Sequence, residues 1–117
     1  MTTLKREFGK HYLVEFIGCD PAKLKKVKDI KPILLKAAKV SQATVIKYFF
    51  HQYKPFGVTG IILIAESHFS IHTWPEDGYV TFDILTCGKM LPLKAIDLLK
   101  KSLACQKVRV KVYSRGF

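Results

Sequence analysis

Between residues 66 and 88 the chain gathers the side chains most able to do chemistry. Glu66-Ser67-His68-Phe69-Ser70-Ile71-His72-Thr73-Trp74-Pro75-Glu76 is followed, ten residues on, by Thr86-Cys87-Gly88. Ser67 stands behind an acidic residue at the end of the most apolar run in the chain, Ile61 to Ala65. A hydroxyl next to a peptide carbonyl, an imidazole and a thiol are the groups needed for backbone self-cleavage and then for proton transfer. Taken singly each has a plainer reading. A serine at a strand end is usually a turn residue, a histidine on an apolar face a core group, and a cysteine in an apolar strand a small hydrophobe.

These groups need elements to hold them. Tyr12 to Ile17 alternates weakly and predicts a first strand. Asp20-Pro21 has the form of an N-cap with proline at the first helical position. Ile30, Ile33, Leu34, Ala37 and Ala38 form one apolar stripe, which predicts a helix from about Ile30 to Val40. Pro32 fits because it lies in the first turn. Strands are expected over Thr44 to Tyr53, Val58 to Ala65, Ser70 to Trp74 and Tyr79 to Thr86. A second helix runs from about Leu93 to Ala104, with Ile96, Leu99 and Leu103 on one face, before a last strand from Lys107 to Tyr113.

Short turns between adjacent strands imply antiparallel pairing, and two helices can cover only one face of the sheet. Yet Ile61 to Ala65 is apolar on both faces, which a sheet with one wet face would not show. The expected fold is therefore α+β, a two-layer sandwich of an antiparallel sheet with two main helices on one face. A second copy would pack sheet to sheet, giving a four-layer αββα arrangement.

Composition sets further bounds. With 117 residues, 49% of them hydrophobic, the chain is one domain able to bury a core. No segment approaches the ~20 apolar residues of a membrane span, and the first residues do not lead into a signal-like stretch, so a cytoplasmic protein with no membrane association is expected. Three cysteines without a Cys-x-x-Cys indicate neither a disulfide framework nor a zinc knuckle. A metal site of His68, His72 and Cys87 fails on geometry, because four residues along a strand cover ~13 Å; no metal is expected. The net charge of +11 invites a nucleic-acid reading. Against it, seventeen of the twenty basic residues are lysines, and ten of these lie between Lys23 and Lys39 or between Lys94 and Lys101, in and just before the two expected helices. Base readout would want more arginine and a recognisable module, so no nucleic-acid partner is expected.

The combined string closely resembles the prokaryotic S-adenosylmethionine decarboxylase proenzyme family. The resemblance extends from Gly9-Lys10-His11 to Arg115-Gly116 and includes His72-Thr73-Trp74-Pro75-Glu76 and Thr86-Cys87-Gly88 at family spacing. It implies autocatalytic cleavage between Glu66 and Ser67, giving a β chain of residues 1–66 and an α chain of residues 67–117. In that chemistry Ser67 attacks the Glu66 carbonyl, shifts the acyl group to oxygen, and ends as a covalently bound pyruvoyl group, the cofactor. That group forms a Schiff base with the α-amine of S-adenosylmethionine and takes up the electrons left as CO2 departs. His72 matches the processing base, and Cys87 matches the donor that returns a proton to the substrate α-carbon. Thr59 stands where the family usually carries serine and keeps the hydroxyl that would help hold the oxyoxazolidine intermediate. Tyr53 matches an adenine-stacking residue, Glu76 a ribose ligand, and Phe8 a group on the opposite adenine face. The product would be the decarboxylated aminopropyl donor of spermidine biosynthesis.

Two alternatives stay open at the level of sequence: a pyruvoyl-dependent arginine decarboxylase of the same fold, and an unprocessed, non-catalytic partner subunit. Spacing also bears on how the site is assembled. Ser67 and His72 are ~16 Å apart on an extended strand and point to opposite faces, while Thr59 is ~26 Å away along a straight one. Either the backbone folds back near Ser67 or two chains share each site. The second arrangement is the expected one, a homodimer with two sites at its interface, each taking Ser67 and Cys87 from one subunit and Thr59, His72, Tyr53 and Glu76 from the other.

Overall fold

The computed structural model describes residues 5–65 and 67–117. Six strands form one antiparallel sheet: β1 (Glu7–Ile17), β2 (Thr44–Gln52), β3 (Val58–Ala65), β4 (Ser67–Trp74), β5 (Tyr79–Thr86) and β6 (Lys107–Gly116). Their order across the sheet is β2-β3-β4-β5-β1-β6. Helices α1 (Val27–Val40) and α2 (Pro92–Ser102) lie side by side on one face. The expected α+β sandwich with two helices is the observed fold.

Period-two alternation explains which face each residue takes. Val14 and Phe16 of β1, Ile62 and Ile64 of β3, Phe69 and Ile71 of β4, and Val80, Phe82 and Ile84 of β5 all point to the helices. They close on Ile30, Leu34, Ala37 and Ala38 from α1 and on Ala95, Ile96 and Leu99 from α2. The stripe read from the sequence is thus the buried stripe, apart from Ile33, which only flanks the core. Asp20 does cap a turn, its carboxylate accepting from the Ala22 N–H at 3.1 Å. The capped segment is a single 3-10 turn (Pro21–Lys23), and α1 starts afresh at Val27.

Several boundaries move outward from their sequence-based positions. β1 begins five residues early and β6 runs three residues late, because each completes the other's hydrogen bonding from Gly9–Arg115 to Ile17–Lys107. β4 begins at Ser67 rather than Ser70. The chain reverses at once between β3 and β4, so that Ile64 pairs with Ser67 and Thr59 pairs with His72. The straight-strand separation expected for Thr59 and Ser67 is therefore wrong in its premise. The backbone does fold back, and the fold brings Thr59 to His72.

The face away from the helices is open in the single chain. Leu13, Phe49, Ile61, Leu63, Trp74 and Tyr113 are exposed apolar side chains, and by strand parity they share that face. Ile61 and Leu63 are 48% and 47% exposed although they belong to the most apolar strand. The helices also leave the sheet margins bare, with Ile46 and Tyr48 on β2 and Val110 and Val112 on β6 exposed.

Gly9 marks a close approach of two backbones. A Cβ placed there would lie 2.3 Å from the Thr86 carbonyl oxygen, and the obstructing atom is main chain that cannot rotate away. Gly9→Ala is expected to push β1 off β5 beside Cys87 and to cost about 1–3 kcal/mol. A lowered urea midpoint checks this, and an unchanged one would mean that the strands part more easily than their pairing suggests.

Candidate active site

Two clefts at opposite ends of the sheet hold most of the chemically able residues. The first, about 290 Å3, is lined by Tyr53, Thr59, His72, Trp74 and Glu76 among others. Tyr53 follows β2, and its N–H is held by the Gly57 carbonyl at 2.8 Å. Glu76 sits in the 3-10 turn Pro75–Asp77 that joins β4 to β5. Thr59 and His72 are cross-strand neighbours on the open face.

Their side chains form a relay. The Tyr53 hydroxyl is 3.1 Å from Thr59 Oγ1, and Thr59 Oγ1 is 3.0 Å from His72 Nδ1. With the proton on Nδ1 donated to the threonine, Nε2 is bare and able to accept a proton. Thr59 thereby serves His72 directly, within one chain.

The second cleft, about 200 Å3, is lined by Phe8, Gly9, Leu85, Thr86, Cys87 and Arg115. Cys87 follows β5 directly, and the Thr86 hydroxyl ties that end to β1 by donating to the Lys10 carbonyl at 3.0 Å. Phe8 stacks near Phe117, centroids 5.9 Å apart, with the Arg6 guanidinium 4.4 Å from its ring centre. In one chain Phe8 therefore does not face Tyr53 across a shared pocket. The two aromatic residues belong to different clefts.

Ser67 belongs to neither. It opens β4, and its side chain points to the helix layer with Phe69 and Ile71, whereas His72 projects from the other face. The Ser67 Oγ is buried and is the one such side-chain oxygen or nitrogen without a hydrogen-bond partner among the described residues. A buried orphan hydroxyl costs free energy and is rare in folded proteins, so it asks for a reason. Five positions of strand keep Ser67 ~16 Å from His72 of the same chain. The other half of the expected scissile bond, Glu66, lies outside the described residues.

A cluster between the clefts was not foreseen from the sequence. His11 on β1 and His68 on β4 both pair with Leu85 of β5, and Ser70 pairs with Asp83. The Asp83 carboxylate accepts from His11 Nε2 at 2.6 Å, from His68 Nε2 at 3.2 Å, and from the Ser70 hydroxyl. Arg115 Nη1 lies 3.2 Å from His11 Nδ1. A guanidinium only donates, so Nδ1 is bare and Nε2–H faces the carboxylate. The His11, His68 and Asp83 ligand atoms all lie within 4.8 Å of one another, a grouping these hydrogen bonds already account for.

Burial pushes the Asp83 carboxyl up, but donation from Ser70, His11 and His68 outweighs it and holds the group below its ordinary value. A depressed folded-state pKa contributes stability that is present above the unfolded value and lost as pH falls through the folded one. Asp83→Asn is therefore expected to flatten the stability profile below about pH 4. It should also cost about 1–3 kcal/mol near neutrality, where an amide faces donors meant for a carboxylate. Denaturation midpoints measured from pH 7 to 3 check this, and parallel profiles for the two proteins would remove Asp83 as the titrating group.

Known proteins give this geometry its context. A profile of the S-adenosylmethionine decarboxylase family matches residues 10–116. The chain belongs to the S-adenosylmethionine decarboxylase family. It is 42% identical over 112 residues to the S-adenosylmethionine decarboxylase proenzyme of Thermotoga petrophila, covering 95% of this chain and 86% of that one. The proenzyme of Thermococcus onnurineus is 44% identical over 109 residues, covering 92% and 77%. The crystal structure of adenosylmethionine decarboxylase from Aquifex aeolicus superposes with a TM-score of 0.87 at 36% identity, covering 96% of this chain and 93% of that one. A Trypanosoma brucei structure of the same activity, TM-score 0.64 at 16% identity, shares the fold over 88% of this chain and 45% of its own length. No described helix is long and apolar enough to cross a membrane.

Proposed function

We propose that the chain is a proenzyme that cleaves itself between Glu66 and Ser67 and then decarboxylates S-adenosylmethionine to the aminopropyl donor of spermidine synthesis. The observation that carries this reading is the buried, unpartnered Ser67 hydroxyl at the head of β4 in a chain of this family. A hydroxyl with no competing hydrogen bond keeps its lone pairs for the carbonyl that precedes it. Attack on the Glu66 carbonyl carbon moves the acyl group from nitrogen to the Ser67 oxygen. Loss of the Ser67 Cα proton to a base then expels the carboxylate and breaks the chain.

The same position suits the pyruvoyl group that this cleavage would leave on residue 67. The site lies at a strand end against the core, sheltered from water on the helix side. When formed, that group supplies the electron sink for carboxylate loss. The chain's own residues do the rest. Tyr53 offers a ring for the adenine and Glu76 a carboxylate for the ribose hydroxyls, both lining one cleft with His72. Cys87 offers a proton from the other cleft, beside Phe8.

Because Ser67 and Cys87 gather toward one end of the sheet and Tyr53, Thr59, His72 and Glu76 toward the other, a complete site calls for two chains packed on their open faces. The exposed Leu13, Phe49, Ile61 and Leu63 give that face the apolar surface a homodimer would bury. Two antiparallel copies would bring unlike ends together and form two equal sites.

Release of CO2 from carboxyl-labelled S-adenosylmethionine, with arginine as the competing substrate, tests the activity. Release from arginine alone would transfer the chain to the other chemistry. For His72, His72→Ala is expected to stall at the ester, with spontaneous cleavage slowed ~100-fold or more. Hydroxylamine, which cleaves esters, should then split the chain where water does not. A stalled variant insensitive to hydroxylamine would place His72 before the acyl shift.

A further inference from the structure

Cys19 and Cys105 lie 86 residues apart in sequence with their sulfur atoms 2.6 Å apart. Cys19 follows β1 and Cys105 precedes β6, and these strands are paired through Ile17 and Lys107. Beyond Ile17 and before Lys107 the two segments leave the strand register but stay side by side, and this brings the two sulfur atoms into contact. Two backbone hydrogen bonds fix the approach: Gln106 N–H to the Ile17 carbonyl at 3.0 Å, and Asp20 N–H to the Leu103 carbonyl at 3.1 Å. Neither cysteine touches the two clefts, and the mechanism above uses neither.

We propose that Cys19 and Cys105 are a disulfide-forming pair that, given the cleavage proposed above, ties the β chain to the α chain. Cys19 lies in the fragment before the expected cleavage point and Cys105 in the fragment after it, so the bond would keep covalent what self-cleavage separates. The oxidant is a small-molecule disulfide of the glutathione class. Cys105, the more exposed of the two, enters first. Its thiolate attacks one sulfur of the small disulfide and releases one small thiol, leaving a mixed disulfide. The Cys19 thiolate then attacks the Cys105 sulfur and releases the second small thiol. Two protein S–H bonds are lost, one S–S bond forms, and the small disulfide takes up both electrons. The contact between the two sulfur atoms helps this second step, because it keeps Cys19 within reach of the mixed disulfide on Cys105.

The bond is tested apart from cleavage in a Ser67→Ala, Cys87→Ala double variant, whose only thiols are this pair. Equilibration with oxidised and reduced glutathione, both from the native reduced protein and by refolding from denaturant, is expected to leave no titratable thiol. The intact mass should fall by two hydrogens, with no glutathione retained. Two thiols remaining by both routes, or a stable glutathione adduct, would overturn the pairing. In the wild-type chain after cleavage, a non-reducing gel should show one band that splits in two on reduction, whereas Cys19→Ser should show two bands either way. Two bands from the oxidised wild type would overturn the tie. A wild-type chain that never splits under reduction would instead overturn the cleavage reading and leave the thiol result standing.

Discussion

Ser67→Ala is expected to leave the chain whole and without decarboxylase activity. Alanine removes the one atom able to attack the Glu66 carbonyl, and with it the source of the group on residue 67. The loss should be on the order of 10^6-fold, the scale seen when a covalent nucleophile is deleted. The structure adds a second, opposite expectation for the same variant. The Ser67 Oγ is buried without a partner, so replacing it with hydrogen removes an uncompensated desolvation cost rather than a bond. The variant should unfold at the same denaturant concentration as the uncleaved wild type or at a higher one, by up to about 1 kcal/mol. A more stable, uncleaved and inactive protein separates a chemical role from a structural one. Turnover in this variant would end the proposal that residue 67 becomes the cofactor, and a large destabilisation would show that the hydroxyl holds the fold.

That double expectation rests on which way one side chain points, and this was only partly legible in the sequence. Central strands were readable because alternation there is enforced by burial: Tyr79 to Thr86 was placed to the residue. Ser67, His68 and Phe69 read as a connection because polar side chains flank them, yet they pair with Ile64, Leu63 and Ile62 across the hairpin. The register, not composition, makes them strand. α2 stops at Ser102, two residues before the expected end, where Ala104 takes a left-handed conformation (φ 52°). That cap leaves no signature in side-chain type. The grouping of Tyr53, Thr59, His72 and Glu76 on one chain was an expectation of the two-chain site. The direct Thr59–His72 contact comes instead from the reversal between β3 and β4, which a straight strand does not show. His11, His68 and Asp83 come from three strands whose neighbours are fixed only by the β1–β5 crossover, so no spacing along the chain could join them. The cysteines teach the same point. An odd count argued against a disulfide framework, whereas pairing of β1 with β6 sets Cys19 against Cys105.

Co-expression of Ser67→Ala with His72→Ala is expected to restore cleavage that neither variant shows alone, and to restore it in one chain only. Within a chain, β4 puts Ser67 and His72 at positions five apart and on opposite faces, ~16 Å where proton transfer needs ~3 Å. Ser67 turns its side chain to the helix layer and leaves the open face to its backbone, the side from which a partner's His72 would reach the Cα proton. In a mixed dimer one site joins the altered serine to the altered histidine position and is dead. The other joins the intact Ser67 of the His72→Ala chain to the intact His72 of the Ser67→Ala chain. Random pairing makes about half of all dimers mixed, so about half of the His72→Ala chains should cleave. The new C-terminal fragment should carry the His72→Ala substitution, and the Ser67→Ala chain should stay whole. Mass spectrometry of the fragments reads both outcomes. Mixed dimers that form but never cleave would mean that His72 serves the serine of its own chain, and the strand between them would then have to give way during processing.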